Sequence, residues 1–270
     1  MSKTLFTDID GTLLNSSGIV SDENKEAIGR CIDSGNLFVL TSGRSVNAQK
    51  IVLDQFESTD GMYMICFQGG LVYDFKNKKI IYEQLLNGEI ASEILKMAAE
   101  LGIHAHAYAP EGIYTPENSD TFRKYIKMTG EKSFEIQEHT QVNDKKIYKV
   151  LTASFDDEAI LYKLKERIEN SSFASQIDII FSATYFLEVI PKGVSKGDGL
   201  VKMSEYLDVP IENTISVGDE RNDISMIEAA GIGCSVKNGR PELKEKADYI
   251  TKRDNNHSAI AEIAEKFILK

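Results

Sequence analysis

The feature that most constrains this chain is a strand, a helix and a second strand within its first 41 positions. Residues 3–7 are a short apolar run. Ser21 suits a helix N-cap, Ala27, Ile28, Cys31 and Ile32 form the apolar stripe, and Gly35 stands at the stop. Residues 36–41 are a second apolar run. Two strands joined through a helix pair in parallel, and open parallel sheets bind ligands in the crevice outside the carboxyl ends of their strands. The residues directly after each run are therefore the first place to look for chemistry.

After the first run come Asp8 and Asp10, with Gly11 and Thr12 to turn the backbone. One carboxylate can attack a phosphoryl group while a second donates a proton to the leaving oxygen. Thr41-Ser42-Gly43-Arg44 follows the second run, ahead of a helix carrying Val46, Ile51, Val52 and Phe56. There the Ser42 hydroxyl and the Gly43 N–H suit a phosphate oxygen near a helix N-terminus. Later, Lys196 lies between glycines just before a helix with Leu200, Val201, Met203 and Leu207 on its inner side, placed to neutralise phosphoryl oxygens. Residues 214–217 read as another strand. It runs into Gly218-Asp219-Glu220-Arg221-Asn222-Asp223, a cluster of hard oxygens suited to Mg2+. Singly, each of these is a common turn, cap or solvated lysine. Their order and their placement at element ends carry the reading.

Residues 62–67 form a third strand ending in Gln68-Gly69-Gly70, and 71–73 with 79–82 read as a hairpin about Asn77. The pattern then changes. Over 84–188 the expected order is helix (89–101), strands (103–107 and 112–114), helix (118–129), strand (146–154), helix (156–169) and strands (176–182 and 186–190). That mixture predicts an antiparallel sheet covered by helices on one face. His104 and His106 alternate on one strand and share a face, where with Tyr108, Tyr114 and Arg123 they are candidates for contacting substrate; a metal role for the two histidines is disfavoured. Beyond the insert, a strand at 233–236, a helix at 241–247, a short strand at 249–251 and a helix from Ser258 restore the alternation. The fold class is α/β, with a parallel-sheet core of residues 1–83 and 189–270 and an inserted α+β domain of residues 84–188.

A formal charge of −11 with no long Lys/Arg cluster argues against a nucleic-acid partner. Cys31, Cys66 and Cys234 are far apart in apolar contexts and read as reduced core residues. With no apolar leader and no run of membrane-spanning length, no membrane partner is expected and a cytoplasmic location is. Nothing in the sequence fixes an oligomeric state.

The segments Asp-Ile-Asp-Gly-Thr-Leu (8–13), Thr-Ser-Gly-Arg (41–44), Gly-Val-Ser-Lys-Gly (193–197) and Gly-Asp-Glu-Arg-Asn-Asp (218–223) resemble the four motifs of the haloacid dehalogenase superfamily. The likeness is to its Cof-type phosphatases in particular, which insert a large α/β cap between two halves of a Rossmann-like core, and it covers nearly the whole chain. It implies that Asp8 is the nucleophile and Asp10 the general acid and then base, with Ser42 and Lys196 holding the phosphate. Asp219 would bind Mg2+ with Asp8 and the backbone carbonyl of Asp10, Asn222 would bind substrate phosphate, and Asp223 would support the metal's water shell or ligate directly. The expected partner is a small phosphorylated metabolite, sugar phosphates first, with pyridoxal phosphate and flavin mononucleotide behind. Gln68 departs from the family, where Asn often precedes Gly. Asn238 and Asn255 lie in family-like segments and receive no chemistry. A phosphosugar mutase is the first rival, but residues 188–197 lack the Trp-Asp-Lys ending of mutases with that cap and the chain has no Trp. A binding protein that has lost its chemistry is the second, and every polar catalytic position is filled by a competent residue.

Overall fold

The computed structural model describes residues 2–269. In chain order the elements are β1 (Thr4–Thr7), α1 (Asp22–Asp33), β2 (Leu37–Thr41), α2 (Val46–Leu53), β3 (Met62–Cys66), β4 (Leu71–Asp74) and β5 (Lys79–Glu83). They continue with α3 (Gly88–Glu100), β6 (His104–Ala109), β7 (Gly112–Thr115), α4 (Asp120–Thr129), β8 (Ser133–Glu135), β9 (Lys149–Ala153), α5 (Glu158–Glu169), β10 (Ile177–Ala183) and β11 (Phe186–Pro191). The chain ends with α6 (Lys196–Leu207), β12 (Thr214–Gly218), α7 (Ile224–Ala229), β13 (Ile232–Ser235), α8 (Pro241–Lys244), β14 (Tyr249–Ile250) and α9 (Ala259–Phe267). Two compact units result, one from residues 1–83 with 195–270 and the other from 84–194. No helix among the described residues is long and apolar enough to cross a membrane.

The first unit holds an eight-stranded sheet in the order β14-β13-β12-β1-β2-β3-β4-β5. The strands from β14 through β3 are parallel, and β4 and β5 extend the sheet as an antiparallel hairpin. Leaving β1, the chain builds outward through β2 and β3; returning, it enters on the other flank at β12. The strand order therefore reverses at β1, which places the ligand crevice at the carboxyl ends of β1, β2 and β12. Apolar residues face both ways from this sheet. Phe6, Val39 and Ile65 meet Leu200 and Met203 of α6 and Met226 of α7, while Ala27 and Cys31 of α1 pack on Ala261 and Ala264 of α9. Ser21 and Ser45 cap α1 and α2 through their hydroxyls. Cys31, Cys66 and Cys234 are buried and none is in a disulfide, and burial pushes the Cys31 thiol up to about 11.

The second unit is a six-stranded sheet, β10-β11-β9-β6-β7-β8. The pairing is antiparallel except between β7 and β8. Along β6 the alanines at 105, 107 and 109 face α3 and α5, where they meet Ile90, Ile94, Leu95, Leu161 and Leu164. His104 and His106 point the other way, and that face is covered too: Phe122 of α4 lies against both rings and Tyr125 against His106. Helices on one face only was the expectation; α4 overturns it, because its aromatic residues at 122 and 125 form a stripe of their own. The expected return to the core at residue 189 shifts to 195, since β11 pairs with both β10 and β9 and its whole length belongs to the insert.

Candidate active site

Asp8 extends the ladder by one residue, its N–H donating to the Val217 carbonyl at 2.9 Å. The turn that follows closes when the Leu13 and Leu14 amides donate to the Ile9 carbonyl, with Ile9 and Leu13 sealed in the core. Gly11 is required twice over. Its φ is +77°, and a Cβ there would lie 2.4 Å from Asp219 Oδ2. The Thr12 hydroxyl donates to Asp219 Oδ1 at 2.8 Å, so the loops after β1 and β12 are joined directly.

Lys196, the first residue of α6, is 1% exposed and donates from Nζ to Asp8 Oδ1 at 2.6 Å and to Asp223 Oδ1 at 2.5 Å. Its neighbours make this placement possible: a Cβ at Gly197 would strike the Ser225 carbonyl, and one at Gly199 would strike Ile65. The other Asp223 oxygen accepts from the Asp219 and Glu220 amides, at 2.9 and 3.0 Å. Asp223 thus shapes its own loop while it anchors the lysine. Burial alone would depress the Lys196 ammonium; Asp223 and Asp8 more than reverse this and hold it above the usual lysine range.

Oxygens of Asp8, Asp219 and Asp223 lie within 4.8 Å of one another. Burial first, then the neighbouring acids against the opposing pull of Lys196, raises Asp8 well above the ordinary carboxylate range. Burial and Asp223 likewise push Asp219 up to about 7. Three acids around one ammonium leave excess negative charge in a poorly solvated place, and the donors are all hard oxygens. That arrangement fits a divalent cation such as Mg2+. Both Asp223 oxygens are already engaged, so Asp8 and Asp219 are the better placed ligands.

Ser42 follows β2, its N–H donating to the Ile65 carbonyl and its Oγ accepting from the Arg44 amide. The Asp10 carboxylate lies outside the acid cluster. It receives both arms of the Arg44 guanidinium, Nε at 2.8 Å and Nη2 at 2.6 Å, and its side chain is 61% exposed. Only its backbone carbonyl remains a candidate metal ligand.

Gln68 takes a larger part than sequence reasoning allowed. Its carboxamide accepts from Asn222 Nδ2 at 3.0 Å, and a Cβ on Gly43 would lie 2.4 Å from its Nε2. The signal available in the sequence was an amide ahead of two glycines at a strand end. Asn238 and Asn255 brace the loop after β1, donating to the Gly11 and Leu14 carbonyls. The residues proposed to contact substrate from the insert fare differently. His106 and Tyr108 are buried within the second unit, as is His104, and Tyr114 packs into its core beside Phe134. Arg123 is exposed and bonds to Asp120 and to the Asn118 carbonyl.

Residues 5–263 match the model of a family described as haloacid dehalogenase-like hydrolase. A protein of Streptococcus pyogenes serotype M6 is 30% identical over 277 residues, covering 99% of this chain and 98% of its own. The Bacillus subtilis 5-amino-6-(5-phospho-D-ribitylamino)uracil phosphatase YwtE is 28% identical, with 96% of each chain covered. Among solved structures, a haloacid dehalogenase-like hydrolase from Bacteroides thetaiotaomicron superposes with a TM-score of 0.89 at 26% identity, over 98% of this chain and 99% of that one.

Proposed function

Because the chain belongs to the haloacid dehalogenase-like hydrolases, we propose that it is a Mg2+-dependent phosphomonoesterase that acts on small phosphorylated metabolites through an aspartyl phosphate. The observation that carries this is Asp8: a buried carboxylate at the sheet's reversal point, pinned at 2.6 Å by Lys196 and flanked by Asp219. An Asp8 oxygen attacks phosphorus, the bond from phosphorus to the ester oxygen breaks, and Asp10 delivers a proton to the departing oxygen. Water then attacks the phosphoryl group while Asp10 takes its proton, releasing phosphate and restoring Asp8. For this Asp10 exchanges the Arg44 fork for the substrate. Lys196, Ser42 and the Gly43 N–H neutralise the oxygens of the transferring group, and Asn222 binds the phosphate. Mg2+ would be held by Asp8, Asp219 and the Asp10 carbonyl, with Asp223 supporting the site from beside them, and would supply positive charge where phosphoryl transfer spreads negative charge.

Sugar phosphates are the first substrates to try. The phosphorylated ribityl compound in the name of the Bacillus subtilis relative supports a polyhydroxy metabolite of this size. Incubating the purified protein with p-nitrophenyl phosphate should give hydrolysis that chelation abolishes and added Mg2+ restores. A panel of phosphorylated metabolites ranked by kcat/KM then names the substrate. Absence of hydrolysis across both would remove the proposal.

A further inference from the structure

Phe67 and Gln68 are successive non-glycine residues at φ +51° and +62°, followed by Gly69 at +105°. Left-handed backbone at bulky residues is costly and persists where surrounding contacts enforce it, often at ligand sites. Here the contacts are explicit. The Phe67 amide donates to the Arg44 carbonyl at 3.2 Å, the Gln68 amide to the Ser42 carbonyl at 3.1 Å, and a Cβ on Gly69 would collide with the Ser195 carbonyl. The turn after β3 is thereby clamped between the loop after β2 and the start of α6. Its product is the Gln68 side chain, 2% exposed, laid against Gly43 at one end and bonded to Asn222 at the other.

We propose that Gln68 is a positioning residue that fixes the polarity of the phosphate-binding amides. A carboxamide can face a ligand with either its oxygen or its NH2, and only the NH2 attracts an anion. Because Gln68 offers Asn222 an acceptor, Asn222 must turn its NH2 inward, which leaves its second N–H for the phosphate. The same orientation sets the Gln68 NH2 beside the Gly43 backbone. β1 lies between β2 and β12, so a side chain bridging the loops after those two strands spans the place where Asp8 stands. This rests on the phosphoryl chemistry proposed above.

The test is a double-mutant cycle with Gln68→Met, which keeps length and removes the amide, and Asn222→Ala. It is read as KM and kcat for p-nitrophenyl phosphate and as Kd for inorganic phosphate, all in Mg2+ buffer. Each single change should raise KM and Kd about tenfold, the scale of one hydrogen bond to a charged group, with kcat within about threefold. The double variant should be no worse than the poorer single, because Gln68 acts through Asn222. Losses that multiply, or a Gln68→Met variant with wild-type KM and Kd, overturn the assignment. So does a lowered Tm with binding unchanged, since that marks a structural role. Gln68→Leu, which also removes the amide, guards against a poorly folded Met variant: it should weaken phosphate binding similarly, and unaltered binding there also counts against the inference. Wild-type protein that hydrolyses substrates but lacks this pattern sinks the Gln68 role alone. Protein that neither hydrolyses nor binds phosphate sinks both.

Discussion

Asp8 is held in the fold at a cost, because burial and the acids beside it disfavour its ionised form. A carboxyl whose pKa is raised by folding loses stability as pH climbs through the interval between its unfolded and folded values. Asp8→Asn, neutral and of the same shape, should therefore abolish turnover while leaving Tm in metal-free buffer at pH 7.5 equal to wild type or a few degrees higher. Hydrolysis surviving within tenfold of wild type would deny Asp8 the nucleophile's role. Asp10 lies two residues on and sits in a different setting, exposed and gripped by Arg44. Asp10→Asn should slow transfer from substrates with basic leaving groups by roughly 10² to 10⁴, and from p-nitrophenyl phosphate far less, when the phosphoryl-enzyme burst is followed separately. An equal loss for both leaving groups would argue against the acid role. The positions of the two aspartates, Ser42, Lys196, Asp219, Asn222 and Asp223, after a strand or at the start of a helix, were legible because each lies in a recognisable segment. Gln68 was not. Its part depends on a left-handed turn and on meeting Asn222, 154 residues away, and no local pattern announces either.

At the level of elements, β6 reads His-Ala-His-Ala-Tyr-Ala, and the alternation correctly placed the histidines on one face. What it could not reveal was α4 closing over that face, since a ten-residue helix with a short aromatic stripe does not declare which sheet surface it will cover. β8 was missed for a similar reason: Ser-Phe-Glu has no run to recognise and is a strand only because β7 offers it an edge. Burial under α4 has a measurable consequence. The two rings share a 2.9 Å hydrogen bond, and His104 is also 3.2 Å from the Ser119 hydroxyl. Burial pulls His104 down from 6.5 to about 4 and His106 well below its usual range. The unfolded chain therefore takes up protons that the folded one refuses. The histidines' contribution to stability is complete above pH 6.5 and falls as pH drops towards 4. At about 1.4 kcal/mol for each pH unit between 6.5 and 4, the His104 share is at most about 3–4 kcal/mol, reached only near pH 4. Urea midpoints at pH 7 and pH 5 should show the loss, and His104→Gln, which cannot take up that proton, should reduce it. A midpoint difference unchanged by the substitution would mean that other groups set the acid sensitivity.

On the scale of the whole molecule, every residue assigned to phosphoryl transfer belongs to the unit made of residues 1–83 and 195–270, and none to the insert of residues 84–194. Phosphate chemistry is common to all monoesters and does not distinguish one metabolite from another, and we propose that the insert supplies the groups that do. Two of the positions first considered for that task, His106 and Tyr108, are packed beneath α4 and serve the insert's own stability. Specificity is better sought among its exposed side chains, with Arg123 among them. Exchanging residues 84–194 for the insert of a relative with a different substrate should reorder kcat/KM across a panel of phosphorylated metabolites and leave slow hydrolysis of p-nitrophenyl phosphate within a few-fold. Lys196→Ala should instead depress every substrate alike. It also strands two buried carboxylates, at a cost of about 3–5 kcal/mol, so its rates need to be taken well below its own Tm. A chimera that keeps the parent's ranking would show that the core chooses the substrate as well as cleaving it.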